Sequence, residues 1–297
     1  MRTIGKLFII LTALLALAVA FAWKHFTKPA PAAQASTVIT APSGSRAPAQ
    51  HFSTGTSTRS AAESLPAFAV DKAQAFQSLK QRAKAGDAVA QRLLAQTYEA
   101  CFMINIDRQR FVAGYQQTRM REPGKAATMD RLAQQRIELC DAVDDGAIIP
   151  TELIKGWYAQ AAANGDLAAR AMDYALQRTQ LDPPTATRFL EDVVTSGDPA
   201  AMYSLGRGLG GNVTKNVGEP YKELVSGPLA AEAWMLAACR MGYDCGPDSA
   251  DVASFCLMVG RCLGETTEEM TFAMVKTDAE RQALERKIQQ ILDAVSP

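Results

Sequence analysis

A glycine–aspartate pair followed by a run of small and apolar residues occurs three times in the chain, and this repetition constrains the fold more than any other feature. Glycine accepts the left-handed backbone conformation that ends a helix, and an aspartate directly after it can cap the next helix. Sustained period-two alternation is missing, so strands are not predicted. The sequence therefore predicts an all-α chain of helix–turn–helix units. The three copies are KAGDAVAQRLLAQTYE (84–99), NGDLAARAMDYAL (164–176) and SGDPAAMYSLGRGL (196–209).

An aromatic residue lies eight positions before each of three glycines, Gly165, Gly197 and Gly242. In WYAQAAANG (157–165) and WMLAACRMG (234–242), small residues also lie three and four positions before the glycine. We expect the aromatic side chain to pack into the core from the first helix of each unit, and the small residues to let the second helix approach closely. The residues assigned to this structural pattern are Trp157, Gly165, Asp166, Phe189, Gly197, Asp198, Trp234 and Gly242.

These two patterns together resemble the Sel1-like repeat family, a relative of the tetratricopeptide repeats. The matching features are A-x-x-G-D-x-x-A-x-x-x-L-G, best seen at 194–206, and W-x-x-x-A-A/C-x-x-G in the first helix. The resemblance covers about residues 72–265, although 100–150 and the glycine-rich stretch at 206–220 do not fit. It implies a right-handed α-solenoid of stacked α-hairpins whose concave face binds proteins, and it does not imply an enzyme. An amphipathic stretch at 278–295 is predicted to form a helix that caps the stack.

The N-terminal part divides into two segments ahead of the body. Residues 7–23 form an uncharged apolar run, which as a helix would span about 25 Å. We expect a membrane anchor within 1–28, with a cleaved signal peptide as the alternative. Residues 29–65 are rich in Ala, Pro, Ser and Thr and predict a disordered linker. The helical repeat domain then occupies 66–297.

Charge and histidine content exclude several classes of function for this domain. The first 65 residues carry six bases and one acid, which leaves 25 bases and 30 acids in 66–297. A net charge of −5 argues against nucleic-acid binding, which requires a basic surface. Both histidines lie in the first 65 residues. The domain therefore lacks the histidine of Ser-His-Asp and Cys-His nucleophiles and of most zinc sites.

The six cysteines are predicted to form disulfides. Four of them have the spacing C-x5-C-x10-C-x5-C, which is wider than the two to four residues usual within the pairs of zinc sites. Disulfides require an oxidising compartment, so the domain is expected to lie outside the cytosol. The resemblance to Sel1-like repeats implies a bacterial protein, in which that compartment is the periplasm. The favoured pairs are Cys239–Cys245, Cys256–Cys262 and Cys101–Cys140; a nested alternative joins Cys239 to Cys262 and Cys245 to Cys256.

The sequence therefore favours a non-catalytic protein-binding scaffold tethered to the inner membrane through residues 7–23. Its expected partner is another envelope or periplasmic protein, and no catalytic residue, metal or cofactor is assigned. The enzymatic alternative is a peptidoglycan-active enzyme or glycan-binding protein that uses carboxylates in the groove. A sensor of small ligands is a further alternative, weakened by the six residues that precede the apolar run. Groove residues are expected on the second helices of the repeats, at Arg170, Tyr174, Tyr203 and Arg207.

Overall fold

The structure is a computed structural model that describes residues 71–209 and 216–295. All of these residues belong to one compact unit, Ser57–Pro297. The predicted membrane anchor and linker lie outside the described residues. Among the residues that are described, no helix combines the length and the apolar character that a membrane span requires.

The regular structure of residues 71–209 and 216–295 is helical throughout, with no strand, which confirms the predicted all-α class. The first group of helices is α1 (Lys72–Lys84), α2 (Ala88–Ile106), α3 (Arg108–Arg121), α4 (Ala126–Ala142), α5 (Thr151–Ala163) and α6 (Leu167–Leu176). The second group is α7 (Pro183–Ser196), α8 (Pro199–Gly208), α9 (Lys222–Val225), α10 (Ala230–Arg240), α11 (Ala250–Ser254), α12 (Thr267–Met274) and α13 (Asp278–Val295). A π-helical turn, Phe255–Val259, continues directly from α11.

The helices pack mainly on elements close to them in the chain. Helix α5 lies between α2 and α6, α6 packs on α8, and α8 packs on α10. Helix α13 then packs on α10, with Leu284, Ile288 and Ile291 fully buried. The predicted helix at 278–295 is thereby confirmed, with its apolar stripe against the preceding helices. This succession of neighbouring contacts places the second helices α2, α6 and α8 near one another.

The glycine–aspartate turns have the predicted backbone conformation. Gly86, Gly165 and Gly197 have φ values of 94°, 96° and 57°, which an L side chain rarely adopts. Each following aspartate accepts a hydrogen bond from the first turn of the next helix, so the turn ends one helix and starts another. The bonds come from Ala90 N to Asp87 (3.0 Å), from Ala169 N to Asp166 (2.7 Å) and from Ala200 N to Asp198 (2.9 Å).

The aromatic residues ahead of these turns differ in their burial. Phe189 and Trp234 are buried as predicted, and the indole N–H of Trp234 donates to Leu224 O at 2.9 Å. Trp157 is half-buried and packs against the edge of the core, so it contributes to the core less fully than predicted. The next residue, Tyr158, is fully buried instead. Its hydroxyl donates to Glu99 at 2.8 Å, and this bond satisfies the polar end of a buried ring.

The cysteines are paired in the favoured arrangement and not in the nested one. Cys101 joins the second half of α2 to the end of α4 through Cys140, across the stretch that does not fit the repeat. Cys239–Cys245 and Cys256–Cys262 each close a short loop at the end of a helix, with Cα–Cα distances of 5.6 and 4.5 Å. The four-cysteine segment is therefore constrained at both of its ends.

Candidate functional site

A groove of about 390 Å³ follows one face of α2 along most of its length. The residues that α2 contributes are spaced three and four apart, so they form a single stripe on the helix. The last member of the stripe lies 14 positions after the first, which corresponds to about 21 Å of helix. Its members include Val89, Arg92, Leu93, Gln96, Glu99 and Met103.

The opposite wall of the groove comes from the four-cysteine segment. Tyr243 and Asp244 lie inside the loop closed by Cys239–Cys245, and Met258 lies inside the loop closed by Cys256–Cys262. Asp251 and Ser254 lie between these loops on α11. One wall is thus a long helix joined to α4 by one disulfide, and the other is a short segment closed by two disulfides.

The turns that start α6 and α8 complete the groove, and one of them carries a buried ion pair. Arg92 Nε donates to both carboxylate oxygens of Asp166, at 3.1 and 2.9 Å. The two side chains are only 7% and 5% exposed. Asp166 also caps α6. Its carboxylate therefore links α2 to the next helical unit, and the Arg92 guanidinium neutralises its charge.

A second ion pair crosses the middle of the groove. Arg207, near the end of α8, donates to Glu99 at 2.6 and 3.4 Å, and Tyr158 donates to the same carboxylate. Desolvation acts to lower the pKa of Arg207, but the Glu99 carboxylate outweighs it and raises this pKa above its ordinary value. Burial, followed by the Glu99 charge, raises the pKa of Tyr158. The arrangement keeps Glu99 paired and Tyr158 protonated.

Asp251 is a carboxylate of the groove whose pKa is raised. Desolvation raises its pKa, and the Glu99 charge acts in the same direction, although Arg207, the Tyr203 hydroxyl and Arg136 oppose the shift. Tyr203 is itself 2% exposed and stacks on Tyr243, with ring centroids 4.0 Å apart. A carboxyl group whose charged form is disfavoured beside an ion-paired carboxylate can donate a proton or accept a cation.

Three carboxylates of the groove have no ion pair with any cation in the part of the chain that the structure describes. Asp198 accepts only the backbone N–H of Ala200, and Asp244 accepts only that of Gly246. Asp251 is the third. In contrast, Glu99 and Asp166 are neutralised by the two arginines. Five carboxylates and two guanidinium groups line the groove, and because the charged form of Asp251 is disfavoured, the negative charge without an ion pair lies mainly on Asp198 and Asp244.

One of the four predicted binding residues lines the groove, and a second is buried behind a residue of its wall. Arg207 lines the groove, and Tyr203 lies beneath Tyr243. Arg170 forms an ion pair with Asp192 at 3.1 Å, and neither it nor Tyr174 is among the residues that line the groove. No group of three or more Cys, Asp or Glu side chains with the geometry of a metal site occurs within 71–209 and 216–295.

Sequence reasoning missed Glu99, Asp244, Asp251 and the two groove methionines, Met103 and Met258. A signal for Glu99 was present, because the polar residues Arg92, Gln96 and Glu99 recur at spacings of three and four along one face of a helix that is otherwise apolar. Asp244 and Asp251 had no such signal, since their position depends on how the four-cysteine segment folds back over α2.

In comparisons with known proteins, no family model, no curated protein and no solved structure matches this chain.

Proposed function

We propose that the helical domain is a non-catalytic protein-binding module, built as an α-solenoid and tethered to the inner membrane with its body in the periplasm. The groove along α2 is the binding site, and its occupant is an extended segment of another envelope protein. The resemblance of the repeats to Sel1-like units supports this proposal, as do the three disulfides, which suit an oxidising compartment.

The length of the groove is the observation that carries the proposal. A stripe of about 21 Å accommodates roughly six residues of extended chain at about 3.3 Å per residue. Polar groups recur along this length, with Gln96 between the two ion pairs and Ser254 on the facing wall. A long groove with polar groups at intervals suits a peptide backbone better than a compact small molecule, which is usually enclosed on most sides.

Site-specific photo-crosslinking in the cells of origin tests the proposal. The photoreactive residue p-benzoylphenylalanine replaces Gln96 inside the groove in one strain and Gln290, exposed on α13 outside it, in the other. We expect a discrete protein adduct from position 96 and none of the same mass from position 290. Identical adduct patterns from both positions, or no protein adduct from position 96, would contradict the proposal.

Peptidoglycan cleavage is a second candidate function, and the environment of Asp251 favours it. A carboxyl group with a raised pKa close to the ion-paired Glu99 has the features of a general acid beside a carboxylate. In this case the purified full-length protein releases muropeptides from peptidoglycan, and both Asp251→Asn and Glu99→Gln abolish the release. Release that persists in both variants excludes this pair, and absence of release by the parent protein supports the binding function.

A further inference from the structure

The chemistry of the partner segment follows from the charges that the groove leaves uncompensated, an inference that rests on the proposed function. The two arginines of the groove are occupied by Asp166 and Glu99. Asp198 and Asp244 have no ion pair among the described residues. Asp251 also has no cation within ion-pair distance in this part of the chain, although the charges of Arg207 and Arg136 act on it. An anionic segment would meet three carboxylates and no free guanidinium group, so it would be repelled. A cationic segment would supply the charge that is missing.

The three carboxylates without an ion pair among the described residues come from different elements that converge on the groove. Asp198 starts α8, and Arg207 lies nine residues later on the same helix, which is about 13 Å away along its axis. Asp251 interacts electrostatically with Arg207 and Glu99, which places it near the middle of the groove. Asp244 follows Tyr243, whose ionisation is affected by both Arg92 and Asp251. The negative charge is therefore distributed along the groove and not confined to one point.

Two methionines give the groove an apolar part. Met103 lies at the last position of the α2 stripe and is 51% exposed, and Met258, on the facing π-helical turn, is 49% exposed. Large apolar side chains this accessible in a groove are typical of a surface that another molecule covers. A free polyamine would satisfy the carboxylates but would leave these methionines without an apolar contact. A polypeptide can provide both.

We propose that the groove binds an extended segment of a partner protein that carries a lysine or arginine, with its cationic head paired to Asp198 or Asp244. An apolar side chain of the same segment packs on Met103 and Met258.

Mapping of the cross-linked peptide tests this inference. Adducts formed from position 96, and independently from position 254 on the facing wall, are digested and sequenced by mass spectrometry. We expect the same partner segment from both positions, with a lysine or arginine and an apolar residue within about six residues of the cross-link. A mapped segment without a basic residue overturns the inference while leaving the proposed function intact. No protein adduct from either position overturns both.

A binding measurement with the mapped segment gives the second test. The segment is synthesised with a fluorescent label, and its affinity for the full-length protein is measured by fluorescence anisotropy. The double substitution Asp198→Asn and Asp244→Asn retains the helix cap at 198, because asparagine caps as well as aspartate. We expect it to weaken binding about tenfold or more, and replacement of the basic residue of the peptide by glutamine to do the same. Asp293→Asn, exposed on α13, is the matched control and should change nothing. Equal affinity of the double variant and the control overturns the inference.

Discussion

The turns at Gly165–Asp166 and Gly197–Asp198 have the same sequence motif and the same local structure, yet their aspartates are used differently. Both glycines have positive φ, and both aspartates cap the helix that follows. Asp166 is buried against Arg92 of an earlier helix, whereas Asp198 has no cation beside it among the described residues and lies in the groove. The motif determines where a helix begins. The residue on the neighbouring helix determines whether the aspartate holds repeats together or stays available to a ligand.

Replacement of each of these aspartates by alanine should give the largest difference in unfolding free energy between the two turns. Asp166→Ala leaves the buried guanidinium of Arg92 without a partner, which costs about 4 kcal/mol of unfolding free energy. Asp198→Ala removes only a helix cap, at a cost of about 1 kcal/mol. Urea denaturation followed by circular dichroism measures both. Asp166→Asn, which retains a cap but not the charge, should lie between them. Equal losses for the two alanine variants would show that the Arg92 pair contributes nothing beyond capping.

The aromatic residues ahead of the same two turns provide the next largest difference. Phe189 is 2% exposed, so Phe189→Ala should cost about 3–5 kcal/mol through lost burial and the cavity left behind. Trp157 is half-buried and its indole N–H has no partner among the described residues, so Trp157→Ala should cost roughly half as much. Thermal unfolding of the two variants compares these losses. Trp157→Phe, which removes the unpartnered N–H, is the control that should be close to neutral; a large loss there would mean that the indole has a partner in solution.

These differences also show what could be read from the sequence. The helices, the glycine–aspartate turns and the preferred cysteine pairs follow from local rules: a backbone conformation, a capping side chain and a chain reversal within six residues. The local pattern predicted Trp157 in the core because it repeats Trp234. Trp157 packs only against the edge of the core, and Tyr158 is the fully buried ring. The local pattern could not show this, because the Tyr158 hydroxyl donates its hydrogen bond to Glu99, 59 positions away.

The groove was less predictable than the fold for the same reason. Arg207 lies on a repeat helix, and the position of its side chain follows from the repeat. Asp251 and Asp244 belong to a segment outside the recognised pattern, and they reach α2 only through packing between residues far apart in sequence. Arg170, predicted for the groove from its helix alone, pairs instead with Asp192 on the next helix. A single sequence does not reveal which of two neighbouring faces its charged residues occupy.

Two glycines within these same repeat units should respond to alanine in opposite directions. A Cβ at Gly206 on α8 would lie 2.7 Å from Met235 Cγ and 2.8 Å from Ala231 O, because α10 crosses closely there. We therefore expect Gly206→Ala to destabilise by about 2 kcal/mol through overpacking. Gly156 on α5 has nothing within 4 Å of that position, so Gly156→Ala should stabilise by about 0.5–1 kcal/mol through helix propensity. The midpoints of urea unfolding test both signs, and a loss of stability in Gly156→Ala would contradict the open packing of that face.

The smallest expected effect is a difference in how two carboxylates change the pH dependence of folding stability. Asp87 caps a helix, and Asp251 has no ion pair among the described residues. The Ala90 N–H, with smaller help from Arg82, lowers the pKa of Asp87, so this residue adds stability that is present above the ordinary pKa of 3.8 and is lost as the pH falls below it. Asp251 behaves in the opposite way. Desolvation raises its pKa despite Arg207, Tyr203 and Arg136, so the folded state binds the proton more tightly, and the contribution of Asp251 to stability falls as the pH rises above 3.8.

Asparagine substitutions isolate these two contributions, because each removes one ionisable carboxyl group. Asp87→Asn also retains a helix cap. The unfolding free energy of each variant is subtracted from that of the parent protein between about pH 3 and pH 8, a range that spans the ordinary carboxyl pKa values. The difference for Asp87→Asn should rise with pH and then level off near neutrality. The difference for Asp251→Asn should fall with pH over a range that begins near 3.8 and extends above it. If the Asp251 difference also rises, Arg207 compensates that carboxylate fully, and Asp251 would then be a structural partner like Asp166.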